Sequence, residues 1–209
     1  KHGGMYKVCN GNLLYHGCVP MTPQGDFAAL SVDGKEYRGR ALMDYSDKLC
    51  RQGSYSKAGS EEQRRGLDFM WFLWCGPKSP LNGKNKMTTF ERYFIEDRDT
   101  WTETKDIYYQ LSDDPEVANR ILAEFGIDSG HARIVNGHVP VKIRKGESPV
   151  KAGGKVLIID GGISKAYQAV TGIAGYTLVS NSHQLFLSEH HPFSGIDSII
   201  NHNSDMHSN

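Results

Sequence analysis

Short apolar runs of strand-like composition lie near both ends of the chain and are interrupted by turn signals. Residues 5–8 and 12–15 flank Asn10-Gly11, a pair that favours a type I′ turn between two strands. Residues 175–180 and 184–188 flank a second short polar turn. The pattern therefore predicts one β-hairpin near the start of the chain and another near its end.

The central part of the chain carries two further predicted strands, and each ends beside residues that can do chemistry. Residues 133–135 form a β-branched run that stops at Asn136-Gly137, a turn pair that tolerates positive φ, and His138 follows at once. Residues 155–159 form a continuous apolar run, typical of a strand buried on both faces, and Asp160 follows it. Because α/β enzymes usually place their chemistry at strand ends, we expect a site here.

Between these strand regions the apolar residues recur at helical spacing. One predicted helix covers residues 37–50, a second follows the capping pattern Ser60 to Gln63, and a third runs from Asp114 to Gly126. The second helix carries a stripe of large apolar side chains that we expect to pack in the core: Leu67, Met70, Trp71 and Trp74. The middle of the chain is therefore predicted to be mainly helical.

Two histidines occupy the same local context although they lie far apart in sequence. His16 and His138 each follow a predicted strand, and each is followed by small or apolar residues and a proline. The duplication favours a shared metal ion, whereas either histidine taken alone is more often structural or surface-exposed. His190 and His191 are also tempting ligands, but adjacent strand residues point to opposite faces, so at most one of them can share a site.

Positive charges cluster beside the second histidine. Between the two central strands there are five cations and one acid, Glu147. The five are Lys142, Arg144, Lys145, Lys151 and Lys155. Another lysine-rich loop, with Lys84 and Lys86, follows the second predicted helix. Both loops suit an anionic ligand near a metal, although exposed lysines that bind nothing are the commoner case.

Composition narrows the class of protein. The 209 residues suffice for one large domain or two small ones, and 24 basic residues balance 24 acidic ones, so nothing favours nucleic-acid or membrane partners. Four cysteines without CxxC spacing predict reduced thiols in a cytoplasmic protein rather than a zinc knuckle. The motifs GxxxxGK[ST], GxSxG and HExxH are absent from the sequence, which argues against P-loop NTPases, α/β-hydrolases and zincins.

Four segments carry a resemblance to a known family, and together they span most of the chain. They are NLLYHGCVP (12–20), FMWFLWCGPKSPLNGKNKMTTFERYF (69–94), NGHVPVKIRKGESPVKAGGKVLIIDGGISKAYQAVTGIAGYTL (136–178) and SEHHPF (188–193). In this order they resemble the class III, Firmicutes-type, fructose-1,6-bisphosphatases, a family similar to the calcineurin-like metallophosphatases. The resemblance implies an α/β fold, namely the C-terminal half of an α/β/β/α sandwich with a helical insertion. Residues 1–33 and 126–200 would form its second sheet, 34–125 the mainly helical insertion and 201–209 a frayed tail.

The resemblance also implies an activity, the hydrolysis of fructose 1,6-bisphosphate to fructose 6-phosphate in gluconeogenesis. It implies a dinuclear manganese centre in which His16 and His138 bind the same metal. Lys86, Lys142 and Lys151 are the candidates for neutralising a substrate phosphate. Asp160 either orients a ligand histidine or only caps a turn. Two alternatives remain open: a related metallophosphatase that acts on phosphoproteins or nucleotides, and a non-catalytic remnant domain.

One departure from the family pattern is large. The early motifs DxH, GDxxDRG and GNH[DE], which supply most metal ligands in that family, are missing from this sequence. We therefore expect the chain to be the C-terminal portion of a longer enzyme and to be inactive by itself. Its expected partners are the remainder of the same enzyme and a sugar bisphosphate, and a homo-oligomer is a further expectation.

Overall fold

A five-stranded mixed sheet positions both histidine-bearing segments. The computed structural model describes residues 3–128, 130–160, 175–190 and 195–202. The strands are β1 (Tyr6–Cys9), β2 (Asn12–Tyr15), β3 (Leu30–Val32), β4 (Lys35–Tyr37), β5 (Ile134–Asn136), β6 (Val150–Lys151), β7 (Val156–Ile158), β8 (Gly175–Ser180) and β9 (Leu185–His190). The sheet has the order β1-β2-β5-β7-β6. Its three central strands are parallel, and both edge strands pair antiparallel to their neighbours.

Helices occupy the stretch of sequence between β2 and β5. They are α1 (Gly39–Tyr55), α2 (Glu61–Cys75), α3 (Thr89–Phe94), α4 (Tyr108–Leu111) and α5 (Pro115–Glu124), and α6 (Ile196–His202) follows the last hairpin. Two predicted helix starts are confirmed by their caps, because Ser60 Oγ accepts the Gln63 amide and Asp114 Oδ1 accepts the Glu116 amide. The mixed α/β class is confirmed, whereas the sandwich and the limits 1–33, 34–125 and 126–200 remain predictions.

Both hairpins predicted from turn signals are present. Asn10 and Gly11 have φ of 49° and 74°, the left-handed values that a type I′ turn needs, and they join β1 to β2. The later hairpin pairs β8 with β9 from Gly175 opposite His190 to Ser180 opposite Leu185. A tight turn is determined by two or three adjacent residues, so both hairpins could be predicted from the sequence.

The alternation of side chains along the strands divides the apolar residues into two clusters. Ile134 and Val156 belong to a large core that includes residues of α1, α2 and α5. Val135 and Leu157 belong to a second cluster with residues of the β8–β9 hairpin. Successive strand residues point to opposite faces of a sheet. The prediction that residues 155–159 form a strand buried on both faces is thus confirmed for β7.

Helices α1 and α2 form a hairpin that is held together by a close contact between two glycines. A Cβ atom on Gly66 of α2 would overlap the backbone nitrogen of Gly53 in α1. Glycine costs roughly 1 kcal/mol inside a helix relative to alanine, and here it allows the two helix backbones to touch. The contact turns Phe69 and Leu73 of α2 inward, where they are 8% and 0% exposed.

The predicted apolar stripe on α2 does not pack in the core, so that prediction is wrong. Its members are exposed by 39% to 56%: Leu67 (49%), Met70 (39%), Trp71 (56%) and Trp74 (48%). The helix is apolar on adjacent faces, and helical periodicity fits either of them. The contact between Gly53 and Gly66 decides which face is buried, and that contact is invisible in the spacing of α2 alone.

Several predicted features lie outside the described residues. They are Gly161 and Gly162, the rest of the segment 161–174, His191 and most of the tail predicted to be frayed, 201–209. Within the described ranges no helix combines the length and the apolar character that crossing a bilayer requires.

Candidate metal centre

The two histidines meet because β2 and β5 are parallel neighbours. His16 follows the last residue of β2, and His138 lies two residues after β5. Parallel strands place their carboxyl ends at the same edge of a sheet. The pairing continues past the strands, since the Gly137 amide donates to the His16 carbonyl oxygen at 2.9 Å.

The imidazole rings are in direct contact. His16 Nε2 lies 3.0 Å from His138 Nδ1, with ring centroids 4.8 Å apart and ring planes at 64°. Two ligands that bind one ion at roughly 2.1 Å and at a right angle lie about 3.0 Å apart. The separation of these nitrogens therefore suits adjacent positions in the coordination shell of a single metal ion.

The backbone of Asn82 fixes the tautomer of His138. His138 Nε2 lies 2.9 Å from the Asn82 carbonyl oxygen. A carbonyl oxygen only accepts hydrogen bonds, so Nε2 carries the proton and Nδ1 keeps its lone pair toward His16. Metal-binding histidines commonly donate their second ring nitrogen to such a carbonyl. Asn82 thus performs an orienting function that the sequence did not reveal.

The loop that carries Asn82 is held in place by hydrogen bonds on two sides. The buried Asn82 side chain donates to the carbonyl oxygens of Gly76 at 3.2 Å and Lys84 at 3.3 Å. On the strand side, the Cys18 amide donates to the Pro80 carbonyl oxygen at 3.0 Å. A Cβ atom on Gly17 would stand 2.5 Å from that same oxygen, so only glycine allows this approach.

His138 has a strained backbone. Its φ of 69° lies in the left-handed region, which costs a residue with a side chain on the order of 1–3 kcal/mol. The sequence suggests Asn136-Gly137 as the pair that tolerates positive φ. In the structure the positive φ belongs to the next residue, His138. Such strain is common where surrounding contacts hold a functional side chain in place, and here His16 and Asn82 provide those contacts.

The surroundings favour the neutral form of His138. Burial lowers its pKa most, and the nearby charges of His16 and Lys84 lower it further. The Asn82 carbonyl and Asp160 act in the opposite direction, and the pKa stays below its usual value. A histidine must be neutral to bind a metal, so the environment suits that role.

Asp160 lies near this pair, at the carboxyl end of β7. Its charge raises the pKa of His138, and its backbone oxygen accepts the Val141 amide at 2.9 Å. His138 is oriented by the hydrogen bond that its Nε2 donates to the Asn82 carbonyl oxygen. An orienting role for Asp160 remains a prediction.

The predicted phosphate-binding lysines occupy different environments. Lys142 and Lys151 are partly buried, and both lie close enough to Lys105 to lower its pKa. Lys86 Nζ instead donates to the Thr100 carbonyl oxygen at 2.7 Å. The lysine of that loop with an electrostatic effect on His138 is Lys84, two residues earlier. The role of all three predicted lysines remains a prediction.

His190 takes no part in this arrangement. His190 Nε2 lies 2.6 Å from Thr177 Oγ1 within the β8–β9 hairpin. Across the described ranges no cluster of three or more His, Cys, Asp or Glu side chains has the geometry of a metal site. The described residues therefore fit a metal ion as a pair of ligands, and a complete coordination shell needs further donors.

Comparison with known proteins shows which family the chain belongs to. Residues 1–209 match the family model described as Firmicute fructose-1,6-bisphosphatase. The chain belongs to this family. The resemblance inferred from the four sequence segments is thereby confirmed.

Named fructose-1,6-bisphosphatases of class 3 resemble the chain closely. The protein from Bacteroides fragilis is 52% identical over 207 residues, which is 99% of this chain and 31% of the relative. The protein from Clostridium novyi is 50% identical over 98% of this chain and 31% of its own length, and that from Fusobacterium nucleatum is 50% identical over 98% and 32%. The chain thus spans about a third of the length of these relatives. No solved structure matches it significantly.

Proposed function

We propose that this chain is the part of a metal-dependent fructose-1,6-bisphosphatase that supplies two imidazole ligands to its metal centre. The whole enzyme would hydrolyse fructose 1,6-bisphosphate to fructose 6-phosphate and phosphate, a gluconeogenic step in the cytoplasm. The observation that carries the proposal is the 3.0 Å contact between His16 Nε2 and His138 Nδ1 in a chain of this family. The family membership supports the substrate, and the nitrogen geometry supports the metal.

The residues of the chain prepare the two nitrogens for a cation. Asn82 holds the proton of His138 on Nε2, so Nδ1 needs no deprotonation to bind a metal. His16 Nε2 now donates to that lone pair, and its proton would move to Nδ1 of its own ring when an ion binds. When bound, a dinuclear manganese centre would polarise the phosphoryl oxygens and lower the pKa of a water molecule.

The remaining metal ligands would come from outside the described residues. Two nitrogens are fewer than the four to six donors that such ions take. The relatives are about three times as long as this chain, so the rest of the enzyme is the proposed source of the other donors. Cationic side chains, among them Lys142 in the loop after His138 and Lys151 at the end of β6, would offset the charge of the substrate.

The test is a substitution of His138 in the full-length protein. We expect His138→Ala to lower the bound manganese per subunit and to reduce phosphate release from fructose 1,6-bisphosphate by at least about a hundredfold, as loss of an essential electrostatic group does. His183→Ala is the matched control, because His183 lies exposed in the turn between β8 and β9. Unchanged metal content and turnover in His138→Ala would refute the ligand assignment.

The same assay distinguishes substrates. The wild-type protein is assayed with manganese and with fructose 1,6-bisphosphate, a phosphopeptide or a nucleotide as the phosphate donor. Faster release from the sugar bisphosphate supports the proposal. Preference for a phosphopeptide or a nucleotide would contradict the substrate assignment while leaving the metal ligands intact.

A further inference from the structure

A cavity of about 120 Å³ adjoins the loop that carries His138. One wall is the 136–141 backbone, which includes Gly137 immediately before the metal-binding histidine. The cavity is also lined by residues from other segments, namely Lys105, Tyr109, Ser112, Glu147 and Lys151. The cavity is therefore built by the same loop that positions the imidazole pair.

Positive charge dominates around this cavity. Desolvation lowers the pKa of Lys105, and the charges of Lys142, Lys84 and Lys151 lower it further against the opposing effect of Glu147. The Glu147 carboxylate is engaged, since its Oε2 accepts the backbone amide of Lys142 at 2.9 Å. Lys142, Lys84 and Lys151 all act on Lys105, whereas Lys84 is also paired with Glu103 Oε2 at 2.6 Å and Glu147 lines the cavity. The remaining excess of positive charge is one that an anion would stabilise.

The cavity also contacts a buried polar side chain with an unused acceptor. Asn136 lines it and is 3% exposed. Its Nδ2 donates to the Gly17 carbonyl oxygen and to the Tyr108 hydroxyl, while its Oδ1 has no hydrogen-bond partner among the described residues. An amide oxygen only accepts hydrogen bonds, so this atom would pair with a hydroxyl group or a water molecule rather than with the phosphate itself.

Size and position limit what the cavity can hold. At about 120 Å³ the cavity is far below the several hundred Å³ of a typical site for a whole small molecule, so it suits one phosphate group rather than an entire sugar bisphosphate. Gly137 lines the cavity and immediately precedes His138, so the cavity adjoins the loop that carries one of the paired imidazoles.

We propose that this cavity binds the phosphate of the sugar bisphosphate that is not hydrolysed, with Lys105 and Lys151 as its main cationic contacts. The assignment rests on the proposed function and deepens it, because it makes the chain selective for substrates with two phosphates. Lys105 was not singled out by the sequence. It lies in a stretch without a motif, and only the fold brings it to the same cavity as Lys151.

Binding of fructose 6-phosphate tests the assignment without any turnover. This ligand carries only the phosphate that the cavity would hold. In the full-length protein with manganese we expect Lys105→Met to weaken its binding about tenfold or more, measured by titration calorimetry, because a charge-assisted hydrogen bond is lost. Lys57→Met, in the exposed connection between α1 and α2, is the control and should bind like the wild type. Equal affinities of wild type and Lys105→Met would overturn the assignment.

Kinetics with two substrates distinguishes a role of Lys105 at the phosphate that is not hydrolysed from a role at the phosphate that reacts. We expect Lys105→Met to raise KM for fructose 1,6-bisphosphate about tenfold and to leave kcat/KM for fructose 1-phosphate within twofold. An equal loss with both substrates would show that Lys105 serves the hydrolysed phosphate, which contradicts the assignment. A wild type that binds fructose 6-phosphate through Lys105 but hydrolyses neither substrate would support the cavity and refute the proposed function.

Discussion

His16 Nε2 and His138 Nδ1 lie 3.0 Å apart although 122 positions separate them in the sequence. Neither residue is brought there by its own element alone. β2 and β5 run side by side in the same direction, and the turn after β5 places His138 over the end of β2. The positions of the two imidazoles therefore depend on the sheet and on the loops that support it. Substitutions in those supports should change the positions of the two nitrogens.

The first prediction concerns the coupling of the two histidines. If both bind one ion, removing either should remove most of its affinity, and removing the second should add little. We expect His16→Ala and His138→Ala each to lower manganese affinity about a hundredfold, and the double variant to fall less than about tenfold further. Equilibrium dialysis of the full-length protein measures all three. Fully additive losses would indicate two separate ions.

The second prediction concerns the close approach at Gly17. Gly17→Ala forces the Pro80 carbonyl oxygen to move, and with it the loop that holds Asn82 against His138. We expect a loss of about 2 kcal/mol in the free energy of unfolding, typical of overpacking, together with weaker manganese binding. Urea unfolding and dialysis provide the two readouts.

Gly3→Ala is the control for this prediction, because nothing lies within 4 Å of the Cβ it would add. Its stability and manganese affinity should match the wild type. A Gly17→Ala variant that loses stability but keeps its manganese affinity would show that the loop does not set the position of His138.

The third prediction is a pH dependence at Glu103. Burial alone would raise the pKa of this carboxyl group, but hydrogen bonds from Lys84 and Thr88 and the charge of Lys84 lower it to about 2. Because the folded pKa lies below the unfolded value of 4.5, the stabilisation is present above pH 4.5 and is lost as the pH falls toward 2. Solvent screening reduces it to about 1 kcal/mol.

Urea unfolding between pH 5 and pH 2 tests this dependence. The wild type should lose this increment of stability over the window, and Glu103→Gln should show a flatter profile. Parallel profiles for the two proteins would mean that the carboxylate at position 103 is not specifically stabilised in the folded state.

The fourth prediction contrasts the two apolar faces of α2. Leu73 is fully buried, so Leu73→Ala should cost about 2–5 kcal/mol. Trp71 is 56% exposed, so Trp71→Gln should change the free energy of unfolding by less than about 1 kcal/mol. Urea unfolding measures both. A large loss for Trp71→Gln in the full-length protein would show that another part of that protein covers the stripe.

Local chemistry explains what the sequence could predict. The Asn10-Gly11 turn, the caps at Ser60 and Asp114 and the apolar run of β7 depend on residues a few positions apart. The histidine pair was predictable for a different reason. Two identical contexts at the ends of strands imply a shared edge if the strands are parallel, and β2 and β5 are parallel.

The features that escaped prediction depend on contacts between distant segments. The buried face of α2 is selected by Gly53 of another helix, and its periodicity alone could not reveal this. Asn82 orients His138 with a backbone carbonyl, a group that every residue has, so no side-chain motif marks it. Lys105 and Lys151 line the same cavity only because the fold brings residues 105–112 beside the loop after β5.

The pairing of β2 with β5 also has a consequence for the order of events during synthesis. His16 leaves the ribosome 122 positions ahead of His138, which at typical elongation rates is a delay of roughly 6 to 24 seconds. Throughout that interval the first imidazole has no partner, and helices α1 to α5 must be synthesised before β5 can add to the sheet. Any metal ion held by this pair can therefore bind through both imidazoles only after β5 has been synthesised and has paired with β2.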